Sequence, residues 1–259
     1  MTKTDRHFTG PMVEKFERTL YGASRGQLRL ALLQETIKRE IPFSREPILD
    51  AGGGLGIMAQ WAAERGHDVT LVEPAADMLQ AARQRVEASS VVCLQGDLQA
   101  LETLALGPWP RIFCHAVLEW LADPKEGLQA LFDQLQPGGW LSLMVFNKDA
   151  LCFSNIVKGN LKRVLKGGLE GKGEGTRLTP ISPMTHDDIV QWTAELGLEI
   201  KGVTGIRVFH DYLREKNPPE NDLEMLRQLE FEYCRKEPYW RLGRYLHYTL
   251  YRPLGLSLS

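Results

Sequence analysis

The run Ile48-Leu49-Asp50-Ala51-Gly52-Gly53-Gly54-Leu55-Gly56 constrains this chain most. Two apolar residues end a strand, an acid follows, and glycines then fall at alternate positions: Gly52, Gly54 and Gly56. Glycine at a strand-to-helix turn permits positive φ and lets a ligand approach the main chain. A dinucleotide-binding turn has the spacing G-x-G-x-x-G, with its acid well downstream. Here the third glycine comes one residue early, and Asp50 sits two residues before the first. A glycine-rich turn alone could serve any tight corner in an α/β domain, so the rest of the chain must specify the ligand.

The hydrophobic pattern alternates strands with helices. Strands are expected at Ile48–Asp50, Asp68–Glu73, Val91–Gln95, Arg111–Ala116 and Trp140–Phe146. Helices are expected at about 13–40, after the glycines to Gly66, from Met78 to Ala88, and from Asp123-Pro124 until Pro137-Gly138-Gly139. That order implies a parallel, doubly wound sheet that binds ligands at the carboxyl ends of its strands. Two late strands, Leu198–Gly205 and Leu246–Tyr251, flank a helical excursion at about 207–240. A glycine- and lysine-rich stretch covers about 154–178, and there are no internal repeats. The whole of 1–259 is read as one domain with these insertions.

Composition removes several classes. No stretch approaches the ~20 apolar residues of a membrane span, and Met1–His7 has no apolar signal region. Cys93, Cys114, Cys152 and Cys234 show no C-x-x-C spacing and read as reduced thiols of a cytoplasmic protein, not metal ligands. A net charge of −2 argues against a globally basic nucleic-acid binder but leaves room for a local basic face.

With Asp50 in place, the turn resembles that of class I S-adenosylmethionine-dependent methyltransferases. The resemblance implies a Rossmann-like seven-stranded sheet ending in an antiparallel edge hairpin, with S-adenosylmethionine as cofactor. Gly52, Gly53 and Gly54 would then approach the methionine part through backbone atoms, and Asp50 would orient the turn. Glu73 ends the second strand, where a carboxylate can accept from ribose hydroxyls; a strand-end acid before proline is otherwise an ordinary solvated turn. Asp97 and Leu98 follow the third strand, where Asp97 could accept from the adenine amine and Leu98 pack on the ring. An N-capping role is the plain alternative for Asp97. His115 ends the fourth strand, at the cleft; a histidine in an apolar run is otherwise a core residue.

Other segments carry a narrower resemblance. They are Tyr21-Gly22-Ala23-Ser24-Arg25-Gly26-Gln27-Leu28-Arg29, His115 to Pro124, Thr204 to Lys216, Tyr233 to Tyr239 and Leu242 to His247. Together they look like the bacterial tRNA 5-carboxymethoxyuridine methyltransferase family, from about residue 13 to 252. The resemblance implies methyl esterification of a wobble-uridine carboxylate, with cofactor contacts at Arg29, Gly52, Gly53, Glu73, positions 97–98 and His115. Two departures stand out: Glu73 where aspartate is expected, and a poor match at 97–98. Arg29 has its own rationale, because a guanidinium binds the cofactor's α-carboxylate with two parallel hydrogen bonds.

For tRNA, residues 158–177 hold Lys158, Lys162, Arg163, Lys166, Lys172 and Arg177 against Glu170 and Glu174. Lys158, Lys162 and Lys166 are four apart and would share one helical face; the plain alternative is a solvated loop. Arg207, His210, Arg214, Arg235, Arg241 and Arg244, interleaved with aromatics, extend the candidate surface. A carboxylate acceptor is ionised at neutral pH and needs no general base. Candidates to grip it are Tyr21, Arg207 and Arg244, which the sequence does not separate. A small-molecule O- or C-methyltransferase and a non-catalytic cofactor-binding module remain as alternatives.

Overall fold

The computed structural model describes residues 4–6, 10, 24–42, 44–104, 107–171, 179–215 and 219–255. Its strands are β1 (Ile48–Ala51), β2 (Val69–Glu73), β3 (Val92–Gln95), β4 (Trp109–His115), β5 (Leu135–Phe146), β6 (Glu199–Ile206) and β7 (Tyr245–Tyr251). Its helices are α1 (Ser24–Glu40), α2 (Ile57–Ala63), α3 (Ala76–Arg85), α4 (Leu101–Leu104), α5 (Pro124–Gln134), α6 (Lys148–Val157), α7 (Leu161–Leu165), α8 (His186–Glu195) and α9 (Glu220–Tyr233). One seven-stranded sheet runs in the order β3-β2-β1-β4-β5-β7-β6. β1 to β5 pair in parallel, and β7 lies antiparallel between β5 and β6.

Strand alternation sorts side chains onto two faces. Leu49, Ala51, Ile112, Cys114, Leu141, Leu143, Val145, Tyr248 and Leu250 point to the layer that contains Leu128, Leu131 and Ile189 of α5 and α8. Ile48, Phe113, Met144, Phe146 and Tyr245 point to the layer of α1, α2 and α3, with Leu32, Ile37, Trp61 and Leu79. The helices start where their caps dictate. Asp123 accepts from the Lys125 and Glu126 N–H groups, with Pro124 in the first turn of α5. Thr185 and Asp188 form a reciprocal capping box at α8. Asn147 caps α6 and spends its amide on the Arg241 and Gly243 carbonyls, at 2.8 and 2.9 Å.

Two expectations need correction. Pro137-Gly138-Gly139 does not merely end a helix; it lies inside the span of β5, whose Leu135 pairs with Trp109 across a register shift. Gly138 and Gly139 are tied to Arg252 at the end of β7, which explains the bulge. The three lysines at 158, 162 and 166 also fail to share a helical face. Gly159, at φ +76°, breaks the helix between α6 and α7, so Lys158 follows α6, Lys162 lies in α7 and Lys166 follows it. The 207–240 excursion is helical in α9 and in two 3₁₀ turns, His210–Tyr212 and Tyr239–Leu242.

One buried carboxylate fixes the loop after β6. Glu230 of α9 is fully buried and accepts the N–H groups of Val208, Phe209 and His210 at 2.6, 3.0 and 2.8 Å. Replacing it by alanine strands three donors in the interior. We expect Glu230→Ala to cost roughly 2–4 kcal/mol of stability, measured by urea denaturation; an unchanged midpoint would show that the loop holds itself.

Candidate functional site

The strand order reverses between β1 and β4, and a cleft opens beside their carboxyl ends. Its lining includes Asp50, Gly52, Gly53, Gly54, Glu73, Asp97, Leu98 and His115. Every cofactor candidate except Arg29 is therefore brought to one place. The glycine turn is built for close approach. Gly52 and Gly54 have φ of +71° and +57°, and a Cβ on Gly52 or Gly53 would come within 2.5 Å of Val117 or 2.6 Å of Leu71.

Glu73 does more than end β2. One oxygen accepts the Gly54 N–H and the other the Ala75 N–H, each at 3.0 Å. The carboxylate thus braces the glycine turn and keeps further lone pairs for hydroxyl donors. Burial raises its pKa against those two bonds. Asp50 lies nearby, almost fully buried, with Oδ2 lacking a hydrogen-bond partner among the described residues. Burial and then repulsion from Glu73 lift its pKa to about 7. Two desolvated acids beside a backbone cradle suit a ligand with positive charge and hydroxyl donors. S-adenosylmethionine, with a sulfonium, an ammonium and a ribose, fits that donor set.

Asp97 caps the turn that follows it, accepting the Ala100 N–H at 2.9 Å, and also faces the cleft. His115 Nε2 lies 2.8 Å from Ser142 Oγ, which lies 2.7 Å from His247 Nε2. A hydroxyl has one proton, so at least one ring donates its N–H to Ser142 Oγ. Burial holds both rings neutral: His115 falls well below the ordinary value, pushed further by His247 and Arg29, and His247 falls to about 3.

Arg29, from α1, is buried but does not line the cleft. Its guanidinium lies 5.5 Å from the Tyr245 ring centre and acts electrostatically on His115 and Glu119. Arg207, at φ +62°, lies 5.7 Å from the same ring. It is buried and pinned by Asp211, at 2.8 and 3.1 Å. That pairing removes it as a ready grip for an acceptor carboxylate or a phosphate. Arg244 is half-buried, 4.5 Å over the Phe146 ring. Among the described residues no carboxylate pairs with it. Tyr21 and Arg177 lie outside the described residues.

Of the other tRNA candidates, Arg163 donates to the Gly168 and Leu169 carbonyls, Lys158 to Ser154, and Arg241 to Glu237. Lys162, Lys166 and Arg214 are exposed. Among the described residues no cluster of three His, Cys, Asp or Glu is arranged to hold a metal ion. No helix among them is long and apolar enough to cross a membrane.

Sequence reasoning missed Arg6, Met58, Met78, Val117 and Trp120 as cleft residues. Val117 and Trp120 belong to the segment after β4, whose position at the cleft was a usable signal. Arg6 carried none. Glu119, in the segment after β4, is buried, with Oε2 unpartnered among the described residues, and burial outweighs backbone hydrogen bonding and Arg29 to raise its pKa to about 8.

Comparison with known proteins adds to this geometry. The family described as "Methyltransferase domain" matches residues 24–201. A tRNA 5-carboxymethoxyuridine methyltransferase of Escherichia coli O157:H7 is 44% identical, over 96% of this chain and 97% of its own. A ubiquinone biosynthesis O-methyltransferase of Xylella fastidiosa is 28% identical over 66% of this chain and 68% of its own. Among solved structures, an S-adenosylmethionine-dependent methyltransferase of Thermotoga maritima superposes with a TM-score of 0.61 at 17% identity, covering 93% of this chain and 98% of that one. This last likeness is one of fold.

The raised pKa values of Asp50 and Glu119 have a consequence for stability. A carboxyl whose folded-state pKa is raised stabilises the fold fully below its unfolded value, near ~4, and loses that stability as pH rises to the folded value. With Asp50 at about 7 and Glu119 at about 8, the ligand-free protein should melt progressively lower from pH 5 to 8. Glu119→Gln, which cannot ionise, should flatten that decline. Melting curves at several pH values test it, and an unaltered slope would contradict a neutral Glu119.

Proposed function

This chain belongs to the tRNA 5-carboxymethoxyuridine methyltransferase family of S-adenosylmethionine-dependent enzymes, and we propose that it esterifies the wobble-uridine carboxylate of tRNA. The observation that carries this reading is the extent of the likeness. The match to the Escherichia coli tRNA enzyme runs over 96% of the chain, whereas the ubiquinone enzyme matches over 66%. The methyltransferase-domain match stops at residue 201, so the near-complete match takes in β7 and the loops that hold Arg207 and Arg244. This reading sets the enzyme in the cytoplasm, with tRNA as its partner.

Asp50, the Gly52–Gly54 backbone and Glu73 hold the cofactor in this reading, Asp97 and Leu98 flank its nucleobase, and His115 forms the floor. Arg29, close behind His115, supplies the positive charge that a carboxylate on the cofactor requires. The bound cofactor supplies an electrophilic methyl group on a positive sulfur. The acceptor carboxylate is ionised well below neutrality, so the protein's task is alignment, not proton removal. Glu119, protonated and buried, is unsuited to act as a base at neutral pH. The two neutral histidines hold the wall of the site in place. Arg244 grips the acceptor, since it stands half-buried at the carboxyl edge of the sheet without an ion-pair partner among the described residues. Lys162 and Lys166 are the exposed cations of α7 and its end that remain for phosphates.

Nucleoside mass spectrometry of tRNA incubated with the enzyme and cofactor tests the reaction. tRNA carrying 5-carboxymethoxyuridine should gain one methyl group, and tRNA carrying 5-hydroxyuridine none; methylation of the second would identify a different nucleophile. Arg244→Ala should lower kcat/KM about 10²-fold, the loss of a charge-assisted contact, and leave cofactor affinity unchanged. A wild-type kcat/KM would remove Arg244 from the acceptor site. Neutralising Lys162 and Lys166 should reduce the salt slope of tRNA binding by about two units, one per phosphate, and an unchanged slope would assign them to a solvated surface.

A further inference from the structure

Arg244 belongs to no helix or strand. With Gly243 it forms the short connection between the 3₁₀ turn Tyr239–Leu242 and the start of β7 at Tyr245. Its main chain is nevertheless bonded on both sides. The Arg244 N–H donates to the Arg207 carbonyl, and the Arg244 carbonyl accepts the Asn147 N–H, each at 3.2 Å. The guanidinium lies 4.5 Å from the Phe146 ring centre. Phe146 ends β5 and Asn147 follows it. One corner of the sheet therefore supplies both the ring under the guanidinium and a bond to the backbone that carries it.

The Asn147 side chain does the rest of the holding. It is fully buried. Nδ2 donates to the Arg241 and Gly243 carbonyls at 2.8 and 2.9 Å, and Oδ1 accepts the Asp149 N–H at 3.0 Å. Capping α6 needs only the oxygen, which serine, threonine or aspartate would provide as well. Only an amide also offers two hydrogens to carbonyls on another segment. Both hydrogens go to the residues just before Arg244, far along the chain. Helix capping thus leaves the choice of asparagine unexplained, and the 241–244 segment explains it.

We propose that Asn147 is a positioning residue for the acceptor: by tying the 241–244 segment to the end of β5, it holds the Arg244 guanidinium over Phe146 in the orientation that receives the acceptor carboxylate. This inference rests on the assignment of Arg244 to the acceptor. A guanidinium meets a carboxylate with two parallel hydrogen bonds, so its plane matters as much as its charge. Without the tether, Arg244 keeps its charge and loses its aim. Alignment is also what the protein contributes to the rate of this transfer.

The test is a double-mutant cycle on the full chain, read by steady-state methylation of tRNA carrying 5-carboxymethoxyuridine and by calorimetry of S-adenosylhomocysteine binding. Asn147→Ser keeps an oxygen for the Asp149 N–H and removes both amide donors. Asn147→Asp keeps the shape as well and removes only the hydrogens, so either folded variant decides the matter. Each should lower kcat about tenfold, the effect of a small misplacement of reacting groups, with tRNA KM and cofactor-product affinity at wild-type values. In the Arg244→Ala background the same substitution should cost nothing further, because residues that act as a unit are not additive. A merely structural asparagine would instead cost the same in both backgrounds and shift the binding affinity. An equal loss in both backgrounds overturns the positioning role and leaves Arg244 as the grip, and so does wild-type kcat in the Asn147 variants. Wild-type kcat/KM in Arg244→Ala removes the grip itself, and the positioning role falls with it.

Discussion

The Glu73 carboxylate holds the Gly54 N–H with one oxygen and the Ala75 N–H with the other, and the cleft depends on that double contact. It locks the turn after β1 to the turn after β2, the two corners a ligand must meet at once. The same position sets the electrostatics. Glu73 lies close enough to Asp50 to raise its pKa, and both acids are largely removed from water. The pocket therefore holds two desolvated acids before any ligand arrives. A cationic ligand compensates these acids, whereas a neutral nucleotide of similar shape would not. Glutamate in place of the expected aspartate suits the bracing role, because its extra methylene reaches back to the Gly54 amide.

Around this centre the sheet divides its labour by strand parity. On one face β4, β5 and β7 present hydrocarbon to α5 and α8. On the other, the same strands present His115, Ser142 and His247 in a row, between Phe113 and Tyr245. A row of polar groups inside a sheet is tolerated only where each finds a partner. Ser142, with one donor and its lone pairs, serves the Nε2 atoms of both rings, while their Nδ1 atoms are buried without a hydrogen-bond partner among the described residues. The antiparallel β7 makes this possible, because its insertion beside β5 brings His247 opposite Met144, within reach of Ser142. It also brings Tyr245 opposite Phe146, and around that aromatic pair stand Arg29, Arg207 and Arg244.

Much of this was legible in the sequence, for physical reasons. Alternating strands and helices, ended by glycine and proline, place β1 to β5 within a few residues, and an acid at each of the first two strand ends marks the cleft. What stayed hidden depends on partners distant in sequence. The bulge at Pro137-Gly138-Gly139 is set by Arg252, more than a hundred residues away. Gly159 ended a helix that lysine spacing alone would have continued. Arg207 and Arg244 look alike as letters, yet Asp211 pins one, and no carboxylate among the described residues pins the other. Arg6 lines the cleft beside Trp120, which no periodicity could reveal.

The arrangement of neutral groups is itself informative about chemistry. Methyl transfer to a hydroxyl or a ring carbon profits from a base that titrates near the working pH. Along the inner wall of this site, the groups beside β4 and β7 are uncharged at neutrality. Glu119 is held protonated up to about 8, and the His115 and His247 rings are neutral but bound into the Ser142 bridge. Of the two acids near the cradle, Glu73 has both oxygens committed to backbone amides. Asp50 is buried near the end of β1. Such a site suits a nucleophile that arrives already charged, as a carboxylate does. Positive charge for its approach comes from the arginines at the edge of the sheet, of which Arg244 alone combines partial exposure with a guanidinium unpaired among the described residues.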